Sequence, residues 1–444
     1  MPMSTDKTIH DALVIGGGIA GQETSLNLAD MGYKVVLVEK ELSIGGKMIH
    51  LSKVFPTLDC AACITTPKMS ETVRHPNITL FTHTNITNII KNGNTFEINA
   101  TIRPTYVVEA DCTGCQLCED VCPSVAPDIH NSGMVGRKAI SIAFSLANPK
   151  VAAIDMDYCI HCKKCEKICP PKCINYDMQP KNINIAAKSI VVATGFNLFK
   201  AENKPQYGYG QFPNVIDAMQ MDRLIAPTRP YNSVLRPSDG RVPDKIAYVL
   251  CTGSRDSSIE GHSGCSLDCR NNPICSQICC MYSIKQAQLL MGALPMADIT
   301  IYYIDIRAFG KGYEEFFQQA KGMGVNFIKG KVAKITQNDG YNGDLILRYE
   351  DTSTGALKET KHDMVVLSVG VLSNPEITTV FKNRTLETDA QNFIKQTNEL
   401  INPTLTSIEG VFVAGTASGP KDIPDSILSA GAAASEVAGY LNRL

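Results

Sequence analysis

Apolar positions in this chain come in two rhythms that interrupt each other. Ala12-Leu13-Val14-Ile15 is a continuous apolar run suited to a strand buried on both faces. A glycine-rich step follows, then an amphipathic stripe through Leu26, Leu28 and Ala29, then the apolar run Val35 to Val38. The pattern predicts strand, helix and parallel strand. The same rhythm returns later. Ile246 to Leu250 predicts a strand, Tyr282 to Met291 a helix and Ile299 to Ile304 a strand. Glu314 to Lys321 predicts another helix, Val325 to Ile328 a strand, Asn338-Asp339-Gly340 a hairpin, and Val365 to Val369 a strand. Alternating strands and helices indicate an α/β protein, with a Pro- and Tyr-containing stretch from Lys204 to Pro243 between the two sets.

The rhythm fails between Cys112 and Pro170, where a cysteine phrase occurs twice. Cys112, Cys115, Cys118 and Cys122-Pro123 read C-x2-C-x2-C-x3-C-P, and Cys159, Cys162, Cys165 and Cys169-Pro170 repeat it. That spacing is typical of two-[4Fe-4S] proteins, in which the fourth Cys of each run ligates the other cluster. Cys112, Cys115, Cys118 and Cys169 are therefore expected around one cluster, and Cys159, Cys162, Cys165 and Cys122 around the second. A pair of zinc sites is the competing reading, but its usual signature is two C-x2-C halves. Two clusters in series would carry electrons. The long spacer Ser124 to Tyr158 contains Met134-Val135-Gly136-Arg137-Lys138, either a docking loop or a solvated basic loop.

Composition narrows the class without naming a chemistry. At 444 residues the chain can build two or three domains. Its formal net charge of −2, with acids and bases interspersed, gives no reason to expect nucleic acid or an anionic membrane. Apolar segments fall short of a membrane span, and Met1 to His10 lacks a signal-peptide core. Seventeen cysteines then point to metal ligation in a reducing, cytoplasmic setting.

Gly16-Gly17-Gly18-Ile19-Ala20-Gly21 follows the first strand directly, giving G-x-G-x-x-G, and Glu39 closes the second strand. Glycines permit the tight turn, the helix N-terminus faces a pyrophosphate, and the acid can hold a ribose hydroxyl. Ile190-Val191-Val192-Ala193-Thr194-Gly195 resembles the ATG segment of two-dinucleotide flavoproteins. Gly410-Val411-Phe412-Val413-Ala414-Gly415-Thr416 resembles their G-x-F-x-A-G-D segment, with Thr416 where Asp is usual, and a small-residue helix from Ser429 to Ala434 follows. This resemblance implies FAD, with Gly16, Gly18, Ile19, Ala20, Gly21, Glu39, Lys40, Gly46, Lys47, Thr194, Gly195, Gly415, Thr416 and Ser426 as candidate binding residues. The Thr for Asp change leaves one ribityl or phosphate contact open.

After the strand Ile246 to Leu250 a nicotinamide domain would carry a second glycine motif. Here the chain reads Cys251-Thr252-Gly253-Ser254-Arg255-Asp256, so NAD(P)H binding is not expected. Cys251, Cys265, Cys269, Cys275, Cys279 and Cys280 crowd this region, and Cys60 and Cys63 form another C-x2-C. Phe55-Pro56-Thr57-Leu58-Asp59-Cys60-Ala61-Ala62-Cys63 with Thr66-Pro67-Lys68-Met69 resembles the A subunit of heterodisulfide reductase. So do Cys251 to Asp256, Cys275-Ser276-Gln277-Ile278-Cys279-Cys280-Met281-Tyr282, the run Asp305 to Glu315, and Gly419-Pro420-Lys421-Asp422-Ile423-Pro424-Asp425-Ser426.

The resemblance implies a thioredoxin-reductase-like two-dinucleotide-binding-domain flavoprotein with an inserted bacterial-type two-[4Fe-4S] ferredoxin domain. Expected limits are residues 1–106 for the first FAD-binding part and 107–180 for the ferredoxin domain. Residues 181–244 would form the second FAD part and linker, 245–374 a Rossmann-like domain that has lost its NAD(P)H motif, and 375–444 the third FAD part. It implies a cytoplasmic iron–sulfur electron-transfer subunit working with heterodisulfide reductase B- and C-type subunits. Its donor would be a hydrogenase, a dehydrogenase or ferredoxin, and the chain is expected as a homodimer within a larger complex. FAD would be the point where electron pairs divide, that is, where electrons are bifurcated. Cys251, Cys275, Cys279 and Cys280 would hold a further [4Fe-4S] cluster, and Lys285 would reach the isoalloxazine and tune it. The plainer reading of Lys285 is an exposed helix lysine.

Compared with the long methanogen form, the resemblance leads us to expect a short form without the extra N-terminal domain and the C-terminal ferredoxin domain, and with an insertion at Ser257 to Asn272. Setting aside the ligands already assigned leaves Cys60, Cys63, Cys265, Cys269 and Cys173. The first four are expected to bind a fourth cluster, with a zinc site, a redox pair at Cys60 and Cys63, or unligated thiols as alternatives. Cys173 is expected to be a buried structural thiol. Two other functions stay open: a stand-alone NAD(P)H-dependent flavin disulfide reductase, and a cluster scaffold without catalysis. A one-path carrier in a sulfur-metabolism or quinone-linked complex would use the same residues as bifurcation.

Overall fold

The computed structural model describes residues 9–257, 272–338 and 343–444. They divide into two compact units. One comprises the chain up to Ile49, Cys63–Phe196 and Ser373–Leu444; the other comprises His50–Ala62 and Asn197–Leu372.

The first unit is built on a seven-stranded sheet in the order Ile78–Phe81, Val35–Val38, Ile9–Ile15, Lys181–Val192, Thr95–Ile102 and Thr84–Asn92, with Val411–Val413 also pairing Lys181–Val192. The first four are parallel, and Ala12 to Val14 and Val35 to Leu37 are fully buried. Continuous Val, Ile and Leu runs suit them because helices and loops cover both faces. The twelve-residue strand Lys181–Val192 is the pivot. Its start pairs antiparallel with Thr95–Ile102 and its end pairs parallel with Val411–Val413. Helix Ile19–Asp30 packs against helix Ile423–Leu441. Ala430, Ala433 and Ala434 are fully buried, so the absence of bulk on that face lets the backbones approach, and Thr24 Oγ1 donates to the Ala430 carbonyl at 3.3 Å. Asp422 caps the long helix by accepting from the Asp425 N–H at 2.9 Å, with Pro424 in its first turn.

Ile102 and Lys181 are register partners. Residues 103–180 therefore leave and re-enter the sheet at adjacent points. Within them, strands Val125–Pro127 and Gly136–Lys138 form one hairpin, and Ile140–Ile142 and Ala152–Ile154 another. Short helices Leu117–Asp120 and Lys164–Ile168 follow the two cysteine loops. Their core is small and apolar, with Val107, Ile140, Ile142, Ala152, Ile154, Cys165 and Cys173 buried together. The stretch Met134 to Lys138 enters the first hairpin, where Arg137 Nη2 bonds Asp155 Oδ2 at 2.6 Å. Asn148 N donates to Ser43 Oγ at 2.8 Å and its carbonyl accepts from Ile44 N at 3.1 Å, tying the insertion to the sheet domain.

The second unit carries another seven-stranded sheet, Val215–Asp217, Met364–Val369, Lys245–Thr252, Asp298–Tyr303, Asn326–Gln337, Leu345–Asp351 and Ala356–His362. Its first five strands are parallel and its last three antiparallel. The strand starting at Asn326 runs to Gln337, well past the apolar run Val325 to Ile328, because its second half pairs with Leu345–Asp351. Residues 339–342, which include Asp339 and Gly340 of the expected hairpin turn, lie outside the described residues. Helix Ala218–Ile225 opens with a capping box in which Asp217 accepts from Gln220 N and Gln220 accepts from Asp217 N. Helix Cys279–Ala293 is buried on most of its circumference. Among the described residues no helix is long and apolar enough to cross a membrane.

Two glycine substitutions separate close packing from simple flexibility. A Cβ at Gly21 would overlap the Gly16 carbonyl oxygen, so Gly21→Ala should force the helix off the strand and cost about 1–3 kcal/mol. Gly292, inside helix Cys279–Ala293, meets nothing within 4 Å. Gly292→Ala should stabilise by about 0.5–1 kcal/mol. Denaturant unfolding midpoints of the two variants should move in opposite directions.

Candidate functional site

Four separated segments of the first unit converge on the glycine turn. Gly16 N donates to Val38 O at 2.8 Å, Gly45 N to Gly17 O at 2.9 Å, and Ala193 N to Ile15 O at 2.9 Å. The contacts are backbone to backbone, so side chains would be in the way. A Cβ at Gly46 would lie 2.7 Å from Gly18 Cα, and one at Gly415 would lie 2.7 Å from Ala20 Cβ. Gly195 has φ +71, and its missing Cβ would sit 3.9 Å from Thr416 Oγ1. Gly16, Gly18, Ile19, Ala20, Gly21, Gly46, Thr194, Gly195, Gly415 and Thr416 are thus drawn around one cradle.

Electrostatics at the cradle favour an anion. Helix Ile19–Asp30 has Gly18 as N-cap, with no side-chain cap bond and no acid in its first turn. The positive end of the helix dipole is left for a phosphate. Glu39 is buried, and its carboxylate accepts from Gly17 N at 2.6 Å and Glu41 N at 2.9 Å. Burial pushes its carboxyl up, against the pull of those two donors. Burial holds the Lys47 ammonium below its usual range, and its Nζ stands 5.0 Å from the Phe196 ring centroid. Lys40 is exposed, and its carbonyl accepts from Arg103. Ser426 is buried, with its Oγ donating to Asp422 O at 2.6 Å. Thr194 Oγ1 is buried without a hydrogen-bond partner. An orphaned hydroxyl in a glycine-lined cradle under a helix N-terminus is what a dinucleotide would satisfy, so these residues fit FAD.

The two cysteine runs line two cavities in the inserted segment. Cys112, Cys115 and Cys118 line one together with Cys169 and Cys173; Cys159, Cys162 and Cys165 line the other together with Cys122 and Tyr176. Ile140, 1% exposed, lines both and forms the partition between them. The loops repeat each other in backbone as well as in sequence. Gly114 (φ +63) and Gln116 (φ +65) flank Cys115, and His161 (φ +53) and Lys163 (φ +56) flank Cys162. Such left-handed turns direct successive N–H groups inward, a geometry that holds anionic clusters. Tyr176 Oη lies 3.1 Å from Cys165 Sγ, and Cys169 Sγ lies 3.5 Å from Cys173 Sγ. Burial pushes the Cys118 thiol up to about 12, with the Glu119 charge acting in the same direction. Metal uptake here would be coupled to proton release. Among the described residues no three His, Cys, Asp or Glu side chains are arranged around a single ion.

In the second unit, Cys251, Cys275, Cys279 and Cys280 lie within electrostatic range of one another. Burial pushes Cys280 up to about 12, and Cys251 also up despite the nearby Arg255. Cys251 (φ +57), Arg255 (φ +56) and Gln277 (φ +62) all hold left-handed backbone, which stores strain of about 1–3 kcal/mol each. Arg255 and Arg307 both bond Asp305 beside the thiols. Among the described residues the helix that follows this strand is Cys279–Ala293, and the turn's N–H groups are taken internally, Arg255 N donating to Ile274 O and Asp256 N to Asn272 O, both at 2.9 Å. Ser276 N donates to Ser254 Oγ at 3.0 Å, Asn272 Nδ2 to Gly253 O at 2.8 Å, and Val371 N to Ser276 Oγ at 2.8 Å. Cys60 and Cys63 are disulfide-bonded, whereas Cys265 and Cys269, expected beside them, lie outside the described residues.

Lys285 is not an exposed helix lysine; it is 1% exposed. Its Nζ bonds Asp222 Oδ1 at 2.5 Å and Ser52 Oγ at 3.3 Å, and Gln286 Nε2 bonds Asp222 Oδ2 at 2.9 Å. The sequence pattern singles out neither Asp222 nor Ser52, because both partners are distant in the chain. A fully buried ion pair is costly to break, since one uncompensated charge remains. Asp222→Ala should lower stability by about 3–5 kcal/mol, and Asp222→Leu with Lys285→Met should recover most of it. Denaturant midpoints of the single and double variants check this.

The family profile for pyridine nucleotide-disulphide oxidoreductases matches residues 10–236. Solved structures of thioredoxin reductase share the fold. The Lactococcus lactis enzyme aligns over 98% of this chain and 100% of its own, with TM-score 0.53 at 16% identity. The T. acidophilum enzyme aligns over 98% of both chains, with TM-score 0.53 at 12% identity. Two relatives are much nearer in sequence. The iron–sulfur A subunit of CoB–CoM heterodisulfide reductase from Methanocaldococcus jannaschii is 42% identical over 439 residues, 98% of this chain and 65% of its own length. The A subunit of the H2:CoB–CoM heterodisulfide,ferredoxin reductase from Methanothermobacter marburgensis is 40% identical over 441 residues, again 98% of this chain and 65% of its own. The chain spans slightly less than two thirds of these relatives' length. With its glycine cradle, its thiol-lined cavities and this similarity, the chain belongs to the pyridine nucleotide-disulphide oxidoreductase family and, within it, is a homologue of the heterodisulfide reductase A subunits.

Proposed function

We propose that this chain is an iron–sulfur flavoprotein that passes electrons through FAD and [4Fe-4S] clusters in a heterodisulfide-reductase-type complex. The observation that carries the reading is the pair of cavities in the inserted segment, each lined by three cysteines of one run and the fourth of the other. This segment is a two-cluster ferredoxin domain set into the FAD domain. Flavin supplies two-electron chemistry and the clusters one-electron transfer.

The chain's own residues set the conditions for that traffic. Gly16, Gly18, Gly46 and Gly415 let backbone approach the dinucleotide, and Thr194 offers its hydroxyl to it. With Cys165 as a thiolate ligand, the Tyr176 hydroxyl beside it would be the donor and would favour added negative charge on that cluster. Cys251, Cys275, Cys279 and Cys280 hold a further cluster, where Arg255 and Arg307 balance the thiolate charge. For Lys285, paired with Asp222, the flavin-tuning role is the one that the family resemblance implies. Partners would be the B- and C-type disulfide-reducing subunits and the hydrogenase, dehydrogenase or ferredoxin donor that the family resemblance implies; the names of two relatives mention H2 and ferredoxin. Dividing electron pairs at the flavin would use the same residues as one-path transfer.

Anaerobically purified protein should contain one FAD and about twelve irons, or about sixteen if the Cys60–Cys63 disulfide is reduced and both thiols hold a fourth cluster with Cys265 and Cys269. Its flavin should not be bleached rapidly by NADH or NADPH alone. Absence of flavin would favour a cluster scaffold, zinc in place of iron would remove the electron-transfer reading, and rapid bleaching would favour a stand-alone disulfide reductase.

A further inference from the structure

Eight cysteines suffice for the two cavities of the inserted segment, yet one cavity has a fifth. Cys173 is buried, 4% exposed, and lines the same space as Cys112, Cys115, Cys118 and Cys169. Its Sγ lies 3.5 Å from Cys169 Sγ. Local backbone brings it there. Cys169-Pro170-Pro171-Lys172 turns on itself, with Lys172 N donating to Cys169 O at 3.2 Å and Lys172 in a left-handed conformation at φ +54. The Cys173 carbonyl then accepts from Val108 N at 2.7 Å, anchoring the thiol beside the first cysteine loop. A plain structural thiol could sit anywhere in this small core, but this one faces the ligand set.

The second cavity provides an internal control. The duplicated runs place Ala126 where the first cavity has Cys173, four residues after the closing Cys122. Ala126 is 1% exposed and cannot ligate, and the second cavity is lined by four cysteines only.

We propose that Cys173 is a reserve ligand of the first cavity, able to take over the iron assigned to Cys169. The inference rests on the iron–sulfur function proposed for this segment. The exchange balances without any redox change: Cys173 gives up its thiol proton as its sulfur binds iron, and the departing Cys169 thiolate takes that proton. The sulfurs are close enough for the turn to adjust without unfolding the hairpins around it. A cluster with such a reserve would survive loss or modification of one ligand, whereas its neighbour would not.

The test compares iron per FAD, and low-temperature EPR of the reduced protein, in Cys169→Ala, Cys122→Ala, and Cys169→Ala with Cys173→Ala, all in the full chain purified without oxygen. Cys169→Ala should keep the iron of the unmodified protein, while Cys122→Ala and the double variant each lose about four irons. Loss of about four irons, or an incomplete cluster by EPR, in Cys169→Ala alone would overturn the proposal. So would full iron in the double variant, or an insoluble Cys169→Ala beside a soluble Cys122→Ala. An unmodified protein without iron would instead remove the functional reading on which the proposal rests.

Discussion

The pairing of Ile102 with Lys181 across two antiparallel strands is the constraint on which the first unit depends. An insertion that starts and ends at neighbouring sheet positions need not distort the sheet that carries it. Residues 103–180 can therefore form their own hairpins and thiol cavities while Ile9–Ile15 and Lys181–Val192 keep their register. The same strand then carries the chain without interruption to Ala193, Thr194 and Gly195 at the dinucleotide cradle. One strand thus leads out of the cysteine segment and ends at the glycine turn. A covalent and hydrogen-bonded connection of this kind fixes the two parts of the unit against each other, which electron transfer between them would need.

Polar groups in the second unit bond one another around Cys251 to Asp256. A nucleotide-binding turn leaves backbone N–H groups for a phosphate, but here the N–H groups of Ser254, Arg255 and Asp256 donate to the carbonyls of Cys251, Ile274 and Asn272. Four thiols and two arginines take the adjoining space. The buried pair of Lys285 and Asp222 adds charge that the fold must keep satisfied, with Ser52 and Gln286 completing its hydrogen bonds. Such a network is expensive as packing, and losing either charged partner would leave the other buried and uncompensated.

Much of this was legible because it is local. The glycine turn, its strands and the cysteine loops follow from spacing within a few dozen residues, and the strands at 12–15, 35–38 and 246–250 form with only their ends extended. What escaped was long-range. Ser52, Asp222 and Lys285 meet although no periodicity links them, and strand Asn326–Gln337 owes its length to a hairpin partner. Cys173 could be counted as left over from the motifs, but only the turn at Pro170-Pro171-Lys172 shows that it faces the first thiol-lined cavity. The division of the chain at 196/197 and 372/373 is likewise set by which strands pair, not by composition.

The central claim is that each cavity draws its fourth cysteine from the other run, so that the two clusters share one framework. Iron content of paired substitutions tests it most directly. Cys122→Ser combined with Cys159→Ser should cost about four irons, no more than either change alone, because both ligands serve one cluster. Cys122→Ser combined with Cys112→Ser should cost about eight. The reverse pattern, with Cys112 and Cys122 removing the same four irons, would contradict the account.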